Sequence, residues 1–92
     1  MIRSFRHKGL KRLFELDDRS KVDPLDVDKI RRILARLNRS RVPQDVAAPG
    51  FGLHRLKGDR KGFWAVTVRA NWRIVFRFEN EDADDVNLID YH

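Results

Sequence analysis

Apolar positions recur along this chain at two different periods, and the change of period divides it. In HKGLKRLFEL, Leu10, Leu13 and Phe14 fall on one helical face. DDRSKVD is a polar connection. The clearest element follows, DPLDVDKIRRILARLNRSR, in which Val27, Ile30, Ile33, Leu34 and Leu37 form a stripe at helical spacing. Asp23 is a good N-cap and Pro24 fits the first helical position. Asp26 and Asp28 lie near the positive end of the helix dipole, with arginines toward the other end. VPQDVAAPGFG is irregular, broken by Pro43, Pro49, Gly50 and Gly52. Beyond it the period drops to two. FWAVTVR and WRIVFRFE are rich in aromatic and β-branched residues, and Ala70-Asn71 between them suits a tight hairpin. ENEDADDV reads as an acidic turn, DVNLIDY as a last strand, and MIRSF as a short opening strand.

This order predicts an α+β fold: one compact domain over residues 1–92, with two N-terminal helices packed on one face of a largely antiparallel sheet. Alternation puts Trp72, Ile74, Phe76 and Phe78 on the face toward the helices. Arg73, Val75 and Arg77 then project from the opposite face, which is expected to be uncovered. Guanidinium groups on an open sheet face make a platform for phosphates. The same pattern also fits ordinary polar-out alternation of an exposed strand.

Charge sharpens the choice. Of 92 residues, 37% are charged, and the net charge is +6; with a pI near 10.3 this points to a polyanionic partner, nucleic acid or the ribosome. Between positions 55 and 77 stand Arg55, Lys57, Arg60, Lys61, Arg69, Arg73 and Arg77 against one acid, Asp59. Arg55, Arg60, Lys61, Arg69 and Arg77, with Lys8, Lys11 and Arg12 of the first helix, are candidate RNA- and ribosome-binding residues. The absence of cysteine excludes disulfides and thiolate metal sites. No run is long enough to span a bilayer and no cleavable signal is visible, so a cytoplasmic location and no membrane partner are expected.

Several motifs fail. KGFWAVTV matches part of an RNA-recognition motif but lacks its central small residue and two aromatics, and only strand-like sequence follows. GFGLHR lacks the third glycine of a dinucleotide fingerprint, and no Gly-Lys-Ser/Thr phosphate loop is present. His54 and His92 have no partners at metal-ligand spacing, so neither a metal nor another cofactor is expected.

What remains is LHRLKGDRKGFW together with Arg73 and the terminal DYH. These side chains suit transesterification of RNA. That reaction needs a base for the 2′-OH proton, an acid for the departing 5′ oxygen and fixed positive charge for the phosphorane-like transition state. Histidine can carry either proton, and Arg and Lys supply the charge. The substrate's own 2′-OH is the nucleophile.

LHRLKGDRKGFWAVTVRANWRIVFRFEN and VNLIDYH strongly resemble the HigB toxins, members of the RelE-like superfamily of bacterial toxins that cleave mRNA on the ribosome. Leu56-Lys57-Gly58-Asp59-Arg60, Trp64-x-Val66-x-Val68-x-x-x-Trp72-Arg73-Ile74-x-Phe76 and the final Asp-Tyr-His carry the likeness, with MIRSFRHKGLKRLFE like the family's start. The resemblance implies a RelE-like fold and ribosome-dependent endonucleolytic cleavage of mRNA in the decoding site. It also implies a HigA-type helix-turn-helix antitoxin that binds operator DNA together with the toxin. Matching positions give His54, Lys57, Arg73, Asp90, Tyr91 and His92 as catalytic candidates. In this reading His92 transfers the proton as general base, and Tyr91 stacks on a base or orients the sugar. Asp90 orients a neighbouring donor, Arg73 and Lys57 hold the phosphate, and His54 assists as acid or positioning group. Two alternatives stand beside it: a non-catalytic RNA- or DNA-binding module, and an inactive toxin relative acting through its antitoxin.

Overall fold

The computed structural model describes residues 1–91. Helix α1 spans Lys8–Leu16 and α2 spans Val27–Asn38. Four strands follow, β1 (His54–Arg55), β2 (Trp64–Arg69), β3 (Trp72–Glu79) and β4 (Asp82–Asp90), joined in sequence order as one antiparallel sheet. Both helices lie on one face of that sheet, as the two periods predict. No helix among the described residues is long and apolar enough to cross a membrane.

The start of α1 is held by His7, whose Nδ1 accepts the Leu10 amide at 3.1 Å. Its end is turned by Asp17, a left-handed residue at φ 56°, whose carboxylate also pairs with Arg31 of α2 and ties the helices together. Asp23 and Pro24 do begin a helix, but a 3-10 turn (Pro24–Asp26) that leads into α2. The expected stripe of Val27, Ile30, Ile33, Leu34 and Leu37 is buried, packed with Leu10 and Leu13 on Val66, Val68, Ile74, Phe76 and Val86 of the sheet. Each such side chain contributes about 1.5–3 kcal/mol relative to exposure, which is why this layer fixes the fold.

Three local expectations need correction. MIRSF is not a full strand: Ile2 and Phe5 make isolated parallel bridges to Ala83 and Val86 along the outer edge of β4. The acidic run is mostly strand. Only its first residues turn, with Asn80 and Glu81 at positive φ, and Asp82 already belongs to β4. Its charge is met by Arg3 at Asp82 and by Arg6 and Arg77 at Asp85, and the strand bulges there. Val75 faces Asn87 but Arg77 faces Asp84, so β4 carries one extra residue there, and Asp85 takes φ 54°. Finally, β1 was not foreseen. It is short and pairs His54 with Ala65 and Arg55 with Trp64.

Candidate active site on the second sheet face

The face away from the helices is not bare. Leu56, Ala65 and Val75 are buried there, with Phe63, Ile89 and Tyr91 packed around them. The loop from β1 to β2 therefore covers part of the face expected to be open. It is drawn in by backbone bonds, Leu56 donating to Phe63 and Phe63 to Arg60, both at 2.9 Å. Gly62 takes φ 94°, a conformation side chains disfavour, and so lets Phe63 turn back onto the sheet.

Around this apolar patch stand several of the catalytic candidates. His54 pairs with Ala65, which places it on the same face, and its Nδ1 lies 3.2 Å from the Gly52 carbonyl oxygen. The Tyr91 ring meets it with centroids 6.2 Å apart at a 56° tilt. The Tyr91 backbone is anchored by its amide, which donates to Asn71 O at 2.8 Å, across the β3–β4 end of the sheet. Arg73 lies between Thr67 and Ile89 in register, hence beside Tyr91 on this face. Its Nη1 donates to Ala70 O at 2.6 Å and Trp72 O at 3.2 Å, which turns the guanidinium toward the hairpin. Its Nε is buried and finds no acceptor among the described residues. A buried donor left unpaired costs about 1–3 kcal/mol, so such a group needs a reason.

Lys57 follows Leu56 directly, exposed at the entrance to the Gly58–Arg60 turn. Asp90 ends β4 opposite Trp72. His92 lies outside the described residues. Thus His54, Tyr91 and Arg73 share one face, with Lys57 at its rim.

The expected RNA-binding cations divide. Arg60 and Lys61 are exposed on the covering loop. Arg55 alternates to the other face and stacks over Trp64, 5.0 Å from the ring centroid. Lys8, Lys11 and Arg12 belong to α1, in the layer behind the sheet, where Arg12 Nε also pairs with Asp18 at 2.7 Å. Two more are engaged by carboxylates of this chain. Arg69 is a strut: its Nε reaches Asp26 at 2.7 Å and Nη2 reaches Asp23 at 3.3 Å, and the Asp26 bond raises its pKa further. Arg77 does face away from the helices, but it is committed to Asp85 at 2.8 Å and Glu79 at 2.9 Å. The bond to Arg77 holds the Asp85 carboxyl below the usual range. Charge counting along the chain could not show these pairings. The apolar patch had a signal, since Val75, Ala65 and Ile89 alternate toward the face assigned to arginines.

Comparison with known proteins gives this geometry a context. A family model described as the RelE-like toxin of the type II toxin-antitoxin system HigB matches residues 3–92. Endoribonuclease HigB of Proteus vulgaris is 49% identical over 92 residues, covering 100% of both chains. The crystal structure of a YafQ mutant from E. coli superposes with a TM-score of 0.62 at 16% identity, over 96% of this chain and 91% of that one, a likeness of fold. The chain therefore belongs to the HigB-like toxin family, the RelE-like toxins of type II toxin-antitoxin systems.

Proposed function

We propose that this chain is an endoribonuclease toxin that cuts mRNA held in the decoding site of the ribosome, by transesterification at the 2′-OH. The observation that carries the reading is the grouping of His54, Tyr91 and Arg73 on one sheet face, with a buried Arg73 Nε that finds no acceptor among the described residues. An imidazole that can move a proton and a guanidinium that can hold phosphoryl charge are groups that in-line attack on a phosphodiester uses, and the phenol ring beside them can support the nucleotide. The 2′ oxygen attacks phosphorus while a base takes its proton. The bond from phosphorus to the 5′ oxygen breaks, and an acid protonates that oxygen. The products are a 2′,3′-cyclic phosphate and a 5′-OH, with no metal in the balance.

In this assignment His92 is the general base and His54 the acid or positioning group. Arg73 and Lys57 neutralise the phosphoryl oxygens. The Tyr91 ring supports a splayed base or sugar, and Asp90 orients a neighbouring donor. Membership in a toxin-antitoxin family implies an antitoxin partner. The finer reading is a HigA-type helix-turn-helix protein that takes the toxin to operator DNA indirectly, with both working in the cytoplasm. Net positive charge on exposed Arg60 and Lys61 suits contact with mRNA or ribosomal RNA phosphates.

The test is the chemistry of the cut. Ribosomes programmed with a defined mRNA and treated with the protein in EDTA should yield an upstream fragment ending in 2′,3′-cyclic phosphate and a downstream fragment with 5′-OH. Fragments bearing 5′-phosphate, or no fragments at all, would overturn the reading.

A further inference from the structure

Thr67 has no part in the chemistry assigned so far, yet the sheet sets it in the middle of this face. It is the residue of β2 that pairs with Arg73 of β3, so the two side chains rise from neighbouring strands on the same side. Side chains directly opposite in an antiparallel pair start about 4.5–5.5 Å apart. On its other flank the Thr67 amide donates to the Phe51 carbonyl oxygen at 2.6 Å, which draws the chain before β1 alongside. A methyl group placed on Gly52 would stand 3.3 Å from the Thr67 hydroxyl oxygen, so the hydroxyl faces the Gly52 backbone. The carbonyl oxygen of that glycine is the one 3.2 Å from His54 Nδ1. Ala65 and Val75, one step along the strands, belong to the apolar patch on which Tyr91 packs. Arg73, the Gly52 backbone beside His54, and the floor under Tyr91 therefore surround Thr67.

The fold does not account for the hydroxyl. Its oxygen makes no hydrogen bond among the described residues, where the one polar side-chain atom buried without a partner is Arg73 Nε. The Thr67 oxygen is therefore open to the site, although the residue is half-buried. Valine would serve the strand as well, with the same branched shape and the same preference for a pleated surface, and Val66 and Val68 flank this position. A hydroxyl beside a floor of Leu56, Ala65 and Val75 calls for a partner that arrives from outside. A hydroxyl can donate or accept. Next to the Arg73 guanidinium, with Lys57 at the rim, the group drawn here is an anion, so the hydroxyl donates.

We propose that Thr67 is a further substrate-binding residue, whose hydroxyl donates a hydrogen bond to a non-bridging oxygen of the scissile phosphate. The inference rests on the transesterification reading above and deepens it. Arg73 brings charge to the phosphate, and Thr67 brings a directed neutral donor. Its β-branched side chain is stiff, and its backbone is fixed between Phe51 and Arg73, so the donor is offered with little reorganisation. Negative charge gathers on the non-bridging oxygens as the phosphorane-like transition state forms, and the bond strengthens with it. Thr67 therefore acts on the cutting step more than on docking to the ribosome.

The test compares Thr67→Val and Thr67→Ser with the wild-type full chain, as single-turnover cutting of message on programmed ribosomes. Thr67→Val keeps the shape, so its melting midpoint and ribosome affinity should stay near wild type. Its cutting should slow roughly tenfold to a hundredfold, the range for a lost hydrogen bond to a charged group. Thr67→Ser keeps the hydroxyl and should retain most of the wild-type rate. Sulfur in place of one non-bridging oxygen at the scissile linkage then separates contact from shape, because sulfur is the weaker acceptor. One of the two phosphorothioate diastereomers should slow the wild type and Thr67→Ser, but slow Thr67→Val little further. Thr67→Val cutting at the wild-type rate, Thr67→Ser cutting as slowly as Thr67→Val, or a sulfur effect undiminished in Thr67→Val would each overturn the contact and leave the nuclease reading intact. A wild-type chain that leaves every message uncut would overturn both.

Discussion

Replacing Leu56 with alanine separates the two faces of the sheet. Leu56 is 2% exposed and packs on Ala65 and Val75 beneath Phe63, Ile89 and Tyr91. Truncating a buried leucine costs about 2–5 kcal/mol, depending on how far the neighbours collapse. This patch is one layer deep and rimmed by half-buried side chains that can relax, so the expected cost is about 2–3 kcal/mol. A chain of this length has roughly 5–14 kcal/mol in total, so the variant remains folded at 25 °C, with its melting midpoint lowered by about 10–20 °C. Leu13→Ala is the matched control. Leu13 is 3% exposed on the helix side and borders a surface groove with Phe14 and Leu34, so a similar loss is expected. Thermal unfolding by circular dichroism should show comparable destabilisation of the two. Cleavage of ribosome-bound message per folded molecule should not. Leu56 sits between His54 and Lys57 and supports Tyr91, so its loss should slow cleavage roughly tenfold to a hundredfold, as misplacement near 1 Å does. Leu13→Ala should cut at the wild-type rate. Equal activity in the two variants would refute the assignment of chemistry to this face.

Arg69→Ala should lower the melting midpoint by breaking the strut to Asp23 and Asp26, yet leave cleavage within about twofold, because surface substitutions away from a site rarely affect it. Arg73→Lys, which keeps the charge but loses the planar fork, should bind ribosomes at nearly wild-type salt dependence and cut far more slowly; equal rates would show that charge alone suffices. Stability should fall as pH drops below about 6.5, the ordinary histidine value, because burial lowers the pKa of His7. The unfolded chain then binds the proton more readily than the folded one. Stability is full above the unfolded value and declines as pH falls from there through the depressed folded value. Protonation of Nδ1 removes the acceptor for the Leu10 amide and sets a positive charge at the positive end of α1. His7→Asn, a capping residue that does not titrate, should flatten this decline in acid unfolding curves.

The parts of the fold that were legible are those whose side chains repeat. The stripe on α2 and the alternation in β2 and β3 declare their own buried faces, since burial of one face is what selects those periods. β1 could not be read this way. It has only His54 and Arg55, and it exists because Ala65 and Trp64, about ten residues on, supply its partners. The acidic stretch misled because composition was taken for conformation. Asp82 to Asp85 carry turn-like side chains, but Arg3, Arg6 and Arg77 draw them into a bulged strand. Arg69 and Arg77 show the same limit for the site. A basic residue has the same letter whether it awaits a phosphate or holds a carboxylate, and only tertiary pairing distinguishes them. The meeting of His54 with Tyr91 needed both β1 and the anchoring of Tyr91 to Asn71 just past β4, so residue type could suggest that contact but not geometry.

The most direct test is the single-turnover rate of message cleavage on programmed ribosomes for Arg73→Ala and Tyr91→Ala beside the wild-type chain. Both variants should fold with nearly unchanged circular dichroism and cut about a hundredfold or more slowly. Wild-type rates in both would place the cutting elsewhere on the molecule.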